Sequence, residues 1–537
     1  MYECPGCGAN MKFDILSQQM SCAYCGRKEA PESLHREEDA QEDTFEATVF
    51  TCPQCGGEMI SGDQDATAFC SFCGAANILT SRLVREKRPG YIIPFKKTRE
   101  DCKKAYARKM RWALFTPGEL RNPAHIDSFR GIYMPYWTYQ MQQKGEVCFK
   151  GSKSYRKGDY VYTEHYDLIG DVDADYYGFS YDASSTFYDN ISEALAPYYV
   201  KDQVEFTPAY LSGFYADIAD VDQNLYLEKA QNMANESSWA QVRTTKAFRK
   251  YNIDRDKNHF NLTDKLHTRC TAAHSTMYPV WFLSWRKDDR VAYATVNGQT
   301  GKVVADLPID IGRFIIMALV LAIPLFILLN LLGTIKPILL LIFCSLLGVV
   351  AAWIYLRELR AIRRREINES DMALQQKKEK QWRGKQSVPK KKSAISKSLM
   401  VTLIVDVAFP LLMGLYVAIL IAKNDSPVAA ALLKGKSAIW PFVAMIVCAV
   451  LYYKSYREEK NLENYRHQYS GLGAIAAQAA AAIVCFLQPV SDLWYYLGAL
   501  LIMLSILYNI WDILRGYNRL AMRRLPQFDK QGGDDHA

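Results

Sequence analysis

The sequence lacks the motifs by which common nucleotide-binding and hydrolytic enzymes are recognised. It has no Gly-x-Ser-x-Gly nucleophile motif and no His-Glu-x-x-His metalloprotease motif. A phosphate-binding loop is also missing: Gly435-Lys436-Ser437 resembles the end of one, but Ala430 stands where the first glycine is required. No reaction centre is recognisable, and we predict that the protein is not an enzyme.

A secretory signal peptide is not recognisable either, because the chain opens on MYECPGC, a cysteine motif without an apolar run. The formal charge of +8 over 537 residues is modest. Basic residues cluster between and after apolar runs, which favours contact with a membrane surface over general binding of nucleic acid. A chain of this length is too long for one hydrophobic core, so several domains are expected.

Eight of the fourteen cysteines form four Cys-x-x-Cys pairs near the start of the chain, and the pattern occurs twice with the same spacing. Zinc prefers four soft ligands in a tetrahedron, and each pair supplies two of them. A redox pair or a disulfide scaffold is the alternative, but matched pairs favour zinc and hence a reducing compartment. We predict two zinc ions per chain, with the ligands Cys4, Cys7, Cys22, Cys25, Cys52, Cys55, Cys70 and Cys73.

These patterns predict a multidomain protein: two small zinc ribbons, a cytosolic α+β domain with antiparallel β-hairpins, and an all-α membrane region of about six transmembrane helices. The predicted boundaries are ribbon 1 (1–28), an acidic linker (29–50), ribbon 2 (51–80), the α+β domain (81–311), a transmembrane hairpin (312–356), a basic cytoplasmic loop (357–398), four further spans (399–514) and a cytoplasmic tail (515–537).

The α+β domain opens on a capping-box pattern, Thr98 with Asp101, which predicts a helix with one basic face. That face is either solvated surface or a contact for phosphate. A weak repeat follows, because Pro-x-Trp at Pro135 and again at Pro279 each precedes a strand, a polar turn and a strand. The repeat predicts two related β-hairpins. His267, Cys270 and His274 are either ordinary packing residues or metal ligands.

The apolar half begins with the block from Phe314 to Leu356, which is long enough for two membrane spans and is broken near Pro337. Further apolar runs cover about 399–422, 438–453, 469–487 and 493–514, which gives six spans. Positive residues crowd the segments after the second and fourth spans and the tail. By the positive-inside rule, we expect both termini to lie in the cytoplasm.

Two features of this half are candidate functional sites. Asp406 lies inside the third predicted span, where an acid is either functional or involved in helix packing. The basic loop either sets the topology or binds anionic lipids or an anionic partner. Its candidate contact residues are Arg363, Arg364, Arg365, Lys390, Lys391 and Lys392.

An ordered set of motifs between Met1 and about Leu307 resembles a bacterial family of membrane proteins with transcription-factor-IIB-type zinc ribbons, some of which carry replication or primosomal labels. The matching segments are the two CPxCG…CxxCG ribbons, YIIPFKK, GIYMPYW, TPAYLSGFYADIADVD, YPVWFLSW and NGQTGKVVADLP. The resemblance implies that the eight cysteines bind metal, and the family has no established enzymatic activity. Shorter members are expected to end after one helical hairpin, so four spans are additional here.

Some relatives in that family are similar to components of envelope-stress membrane complexes with flotillin-like or phage-shock-type partners. The resemblance therefore implies a protein-interaction scaffold or sensor, and this is the leading functional prediction. A membrane-tethered nucleic-acid-binding regulator and a transporter or channel are the alternatives, although nucleic acid is the less favoured partner.

Overall fold

The computed structural model describes residues 2–34, 44–61, 70–75, 80–253, 266–288, 290–332, 336–368, 372, 439–459 and 470–524. The strands are β1 (Met11–Asp14), β2 (Gln19–Cys22), β3 (Lys28–Glu29), β4 (Thr44–Thr51), β5 (Glu58–Ser61), β6 (Thr80–Lys87), β7 (Tyr91–Ile92), β8 (Arg130–Lys157), β9 (Tyr160–Asp182), β10 (Val204–Glu205), β11 (Tyr215–Ala216), β12 (Asn252–Ile253), β13 (His267–Lys287), β14 (Arg290–Asn297), β15 (Val303–Ala305) and β16 (Arg523–Arg524). The helices are α1 (Arg99–Trp112), α2 (Pro123–Ile126), α3 (Asp189–Leu195), α4 (Leu227–Thr244), α5 (Ile311–Leu332), α6 (Pro337–Asn368), α7 (Ile439–Glu459), α8 (Ser470–Leu487) and α9 (Leu493–Ala521).

Strands β1, β2 and β3 form a small antiparallel sheet that belongs to ribbon 1, whereas the strands of ribbon 2 join a large, mainly antiparallel sheet. The centre of that sheet is the antiparallel pair β8 and β13, flanked by β9 and β14 respectively. Strand β9 follows β8 through a tight turn and pairs with it antiparallel, and β14 pairs antiparallel with β13, the strand that precedes it. The two predicted hairpins are therefore confirmed.

The Pro-x-Trp repeat has a geometric counterpart in the register of β8 against β13. Pro135 lies opposite Met277, and Pro279 lies opposite Tyr133, so the two copies run past each other around a local two-fold axis. Each tryptophan of the repeat then fixes a loop: the indole N–H of Trp137 donates to the Val221 carbonyl and that of Trp281 to the Lys97 carbonyl, both at 2.9 Å.

Helices α1 and α4 bury apolar side chains that recur at helical spacing. In α1 these are Cys102, Tyr106 and Met110, and burial raises the pKa of the Cys102 thiol. The predicted capping box is present: the Thr98 hydroxyl accepts from the Asp101 N–H, and the Asp101 carboxylate accepts from the Thr98 N–H. Helix α1 therefore starts where its sequence predicts.

The described residues between Ile311 and Ala521 are mainly helical, and α6, α7, α8 and α9 pack into a bundle. Among the described residues, two helices are long and apolar enough to cross a membrane, Pro337–Arg363 and Leu493–Arg519. Two shorter apolar helices are Ile311–Pro324 and Gly471–Leu487. The prediction of about six spans is therefore not met in this part of the chain: α7 ends in the charged sequence YREE, and the third predicted span lies outside the described residues.

Three elements extend beyond the limits predicted for them. Strand β4 begins at Thr44, inside the predicted acidic linker. Helix α6 continues to Asn368, into the predicted basic loop. Helix α9 continues to Ala521, and β16 then pairs with β14, so the start of the predicted tail is part of the large sheet. In each case the polar, charged composition predicts a connecting segment, but the structure includes its residues in a strand or a helix.

Candidate metal centres

The four cysteines of ribbon 2 form a buried cluster. Cys52 lies 3.7 Å from Cys73, and Cys55 lies 3.7 Å from Cys70, sulfur to sulfur. All four ligand atoms lie within 4.8 Å of one another. A tetrahedral zinc ion about 2.3 Å from each sulfur would place the sulfurs about 3.8 Å apart. The donor set and spacing therefore fit zinc.

The ribbon 1 cluster has the same arrangement but a different exposure. Cys4 lies 3.5 Å from Cys25, and Cys7 lies 3.5 Å from Cys22. Cys4 and Cys22 are buried, whereas Cys7 and Cys25 are exposed. One edge of this centre therefore faces solvent, while the ribbon 2 centre is enclosed by protein.

A glycine follows each Cys-x-x-Cys pair and closes the knuckle. Its N–H donates to the carbonyl of the first cysteine of the pair, over 2.8–3.0 Å. The φ angles, between 70° and 72°, lie in the left-handed region where a Cβ is strained. These closing residues are Gly8, Gly26, Gly56 and Gly74. The backbone is thus folded so that each pair presents two sulfurs to one point.

The protonation of these thiols is set by their neighbours. In ribbon 2 the hydrogen bond with Cys52 raises the pKa of the Cys55 thiol, whereas the hydrogen bond with Cys55 lowers the pKa of Cys52. In ribbon 1 a hydrogen bond from the Cys25 N–H lowers the pKa of Cys22 to about 6. Four thiolates this close repel one another, so a divalent cation is the group that stabilises all of them together.

Ribbon 1 is anchored to the α+β domain through β1. The Phe13 N–H donates to the Ser212 carbonyl at 3.1 Å, and the Ser212 hydroxyl donates to the Met11 carbonyl at 2.8 Å. The Phe13 ring lies against Tyr210, whose hydroxyl donates to the Glu32 carboxylate at 2.7 Å. Ribbon 1 therefore shares its core with the α+β domain.

Ribbon 2 is anchored to the hairpin formed by β13 and β14. The Tyr293 hydroxyl donates to the Phe72 carbonyl at 2.7 Å, and the Phe72 ring meets Phe282 edge to face at 6.3 Å. Arg286 donates to the side-chain carbonyl of Gln54 at 2.9 Å. Both ribbons are thus anchored to the same domain, but at different elements of it.

The other sequence candidates do not form a centre. His267, Cys270 and His274 are spread along β13, and among the described residues the only groups with metal-ligand geometry are the two cysteine clusters. Arg363 forms an ion pair with Glu458 within the bundle, and Arg364 and Arg365 follow it in α6. The candidates that lie outside the described residues are Lys390, Lys391, Lys392 and Asp406.

A polar cluster inside the helical bundle was not predicted. The Tyr355 hydroxyl lies 2.6 Å from the Glu459 carboxylate and 2.8 Å from the Asp512 carboxylate, and both acids are buried. The available sequence signal was Asp512 itself, an acid inside the apolar run 493–514. The partners come from two other helices, which no spacing rule connects.

Comparison with known proteins identifies one relative. The chain is 30% identical over 318 residues to the uncharacterized protein YdjG of Bacillus subtilis (strain 168), and the match covers 58% of this chain and 91% of the relative. No protein-family model matches the chain. No solved structure matches it.

Proposed function

The chain belongs to the family of the Bacillus subtilis protein YdjG, and we propose that it is an inner-membrane protein with two structural zinc ions whose cytosolic part is a protein-interaction scaffold or sensor. The membrane part of the proposal rests on exposed apolar surface. In α5, several isoleucine, leucine and valine side chains along one broad face of the helix are exposed, including Ile316, Leu319 and Ile323.

Helix α9 repeats this distribution on its outer side, where Leu500, Leu504 and Leu507 are exposed. Its polar residues Asn509 and Asp512 are buried instead. In water, a dozen large apolar side chains of α9 would remain exposed and contribute no hydrophobic free energy, while an acid would be removed from solvent. In a bilayer the same surfaces face lipid, and polar side chains pair inside the bundle.

The zinc centres are consistent with this placement, because thiolate ligands require a reducing compartment. The soluble half would then face the cytoplasm, as the distribution of basic residues also predicts. Contacts between the two halves support a fixed arrangement. Arg290 of β14 donates to the Met522 carbonyl at 2.8 Å, and the Asn518 amide group pairs with Ile309 at 2.7 Å.

The scaffold role is supported by a long arm with no packing role of its own. The far end of the hairpin formed by β8 and β9 is exposed on both faces and carries three exposed tyrosines, Tyr155, Tyr160 and Tyr162. Exposed aromatic side chains on a rigid strand pair are typical of protein contacts. By the family resemblance, flotillin-like or phage-shock-type proteins of envelope stress are the proposed partners.

Affinity capture of the full-length protein from detergent-solubilised membranes tests this proposal. We expect specific protein partners to be recovered with the wild type and to be lost with the double substitution Tyr160→Ser and Tyr162→Ser. A matched control is Leu83→Ser, which changes an exposed side chain of β6. Recovery of the same proteins with all three chains, or of none with the wild type, contradicts the scaffold role.

Transport is the second candidate, and the cluster of Tyr355, Glu459 and Asp512 favours it. Buried acids between membrane helices often line ion or proton pathways. Proton flux into liposomes that contain the full-length protein tests this role. The flux should be lost in Asp512→Asn and kept in Ser505→Ala, a change of a half-buried hydroxyl on the same helix. Equal flux in liposomes with and without the protein contradicts it.

A further inference from the structure

The exposed face of α1 carries three cations in one line. Lys104, Arg108 and Arg111 are spaced by four and three residues, so they share one face, opposite the buried side of the helix. All three are exposed, and none of them forms an ion pair with another described residue. The remaining lysines of the helix are engaged: Lys103 pairs with Asp127 at 2.7 Å, and Lys109 donates to the Val303 carbonyl at 3.1 Å.

This line of cations ends in two exposed apolar side chains. Trp112 is the last residue of α1 and is 84% exposed, and Leu114 is 50% exposed. Neither side chain contributes to a core cluster of the described residues. Two large apolar groups at the end of a basic helix face are costly in water and favourable at a lipid–water boundary, where tryptophan is enriched.

The same end of α1 is joined to the beginning of the first apolar helix. The Asp310 N–H donates to the Phe115 carbonyl at 2.7 Å, and the rings of Phe115 and Phe314 lie 5.4 Å apart. The Arg313 guanidinium donates to the Thr116 carbonyl at 3.1 Å. Trp112 is three residues from Phe115, which limits their Cα separation to about 11 Å.

We propose that Lys104, Arg108, Arg111, Trp112 and Leu114 form a contact surface for anionic lipid, beside the point where α5 enters the bilayer. This inference rests on the proposed membrane location. The two apolar side chains would insert among the acyl chains near the head groups, and the three cations would meet lipid phosphates. The contact between Phe115 and Phe314 would hold α1 level with the membrane surface.

Nucleic acid is the other polyanion that a basic helix can bind, but the geometry favours lipid. A nucleic acid would use the cations and could stack a base on Trp112, but it has no comparable use for Leu114, whereas a lipid surface uses all five side chains. The position also matters, because α5 begins only one residue beyond Asp310. A surface beside a membrane-entry point meets lipid head groups continuously, and each suitably placed cation strengthens that contact by about fivefold.

Photo-crosslinking of the full-length protein in nanodiscs tests the surface. Benzoyl-phenylalanine is placed at position 112, at position 316 on the exposed side of α5, or at position 160 on the distant hairpin arm. The discs contain phosphatidylcholine alone or an equal mixture with phosphatidylglycerol, and adducts are identified by mass spectrometry. We expect lipid adducts at 112 and 316 and none at 160.

In the mixed discs, position 112 should favour phosphatidylglycerol, and Lys104→Gln with Arg108→Gln and Arg111→Gln should lower that preference by up to about fivefold per residue. Adducts at 316 but not at 112 overturn the lipid surface and leave the membrane location intact. Adducts at neither position overturn both. Adducts at 112 with an unchanged preference in the triple variant overturn the role of the cations, and a 112 crosslink to added RNA in place of lipid overturns the choice of ligand.

Discussion

Phe13 of ribbon 1 and Tyr210 of the α+β domain meet edge to face, with ring centroids 5.1 Å apart. The backbone beside Phe13 is held as well, because its N–H donates to the Ser212 carbonyl. A ribbon of about 30 residues buries too little apolar surface to be stable alone. We therefore expect its stability to depend on a metal ion held by the four cysteines and on this contact together.

Replacing Phe13 with alanine should separate these two contributions. Loss of a buried phenylalanine costs about 3–5 kcal/mol, which should loosen β1 while the four cysteines keep their zinc. Hydrogen exchange measured for residues 11–22 in the full-length protein should accelerate strongly. Leu16→Ala is the control, because Leu16 is 82% exposed in the same ribbon. Equal exchange in both variants would show that ribbon 1 is stable without the α+β domain.

The two metal centres should lose zinc at different rates. We expect two zinc ions per chain by elemental analysis and two phases of release to a chelator. Ribbon 1 should release first, because Cys7 and Cys25 are exposed, while all four ligands of ribbon 2 are buried. Release should accelerate as the pH falls, because protons compete with zinc for thiolates. Cys7→Ser should remove the fast phase alone; a single phase in the wild type contradicts the assignment.

The local patterns of the sequence were sufficient to predict the two cysteine clusters and α1. Ligand spacing and the Thr98–Asp101 capping box are short-range features, so both could be read without knowing the fold. The Pro-x-Trp repeat also predicted two hairpins correctly. It did not predict that the hairpins lie side by side, because the register of β8 against β13 depends on pairing across more than a hundred residues.

Other features could not be predicted from the sequence, because they also depend on contacts between distant segments. The first residues of β4 resemble an acidic linker when the local sequence is considered alone. They form a strand because β4 pairs with β5 and β6. The cluster at Tyr355 needs three helices at once. Within the described residues, the apolar runs also predicted more spans than the two helices that are long and apolar enough to cross a membrane. Where a helix begins and ends decides how many charged residues it includes, and the apolar run alone does not show this.

The two-fold relationship of the repeat predicts equivalent roles for Trp137 and Trp281. Each indole N–H donates to one loop carbonyl, so Trp→Phe at either position should cost about 1 kcal/mol for the lost hydrogen bond. Thermal unfolding of the α+β domain within the full-length protein measures the cost. Trp112→Phe is the control, since its side chain is exposed. A change at one position that greatly exceeds the other would mean that the equivalence ends at the backbone.

Gly348 and Gln478 provide a test of packing inside the helical bundle. A Cβ at Gly348 would clash with the Gln478 amide nitrogen, which donates to the Ser345 carbonyl at 3.0 Å. Gly348→Ala should displace that amide group and cost about 1–3 kcal/mol. Gly473→Ala is the matched control: it also lies in a helix, no atom lies within 4 Å of its Cβ position, and it should be neutral or stabilising by about 0.5–1 kcal/mol.

Denaturation of the full-length protein in mixed detergent micelles, followed by circular dichroism, measures both changes. The double substitution Gly348→Ala with Gln478→Ala then identifies the cause. If the cost at Gly348 arises from displacing the Gln478 amide, it should largely disappear once that amide is removed, because directly coupled residues are not additive. If the cost persists unchanged, the contact with Ile502 is responsible, since the Cγ2 atom of Ile502 lies 3.4 Å from the same Cβ position.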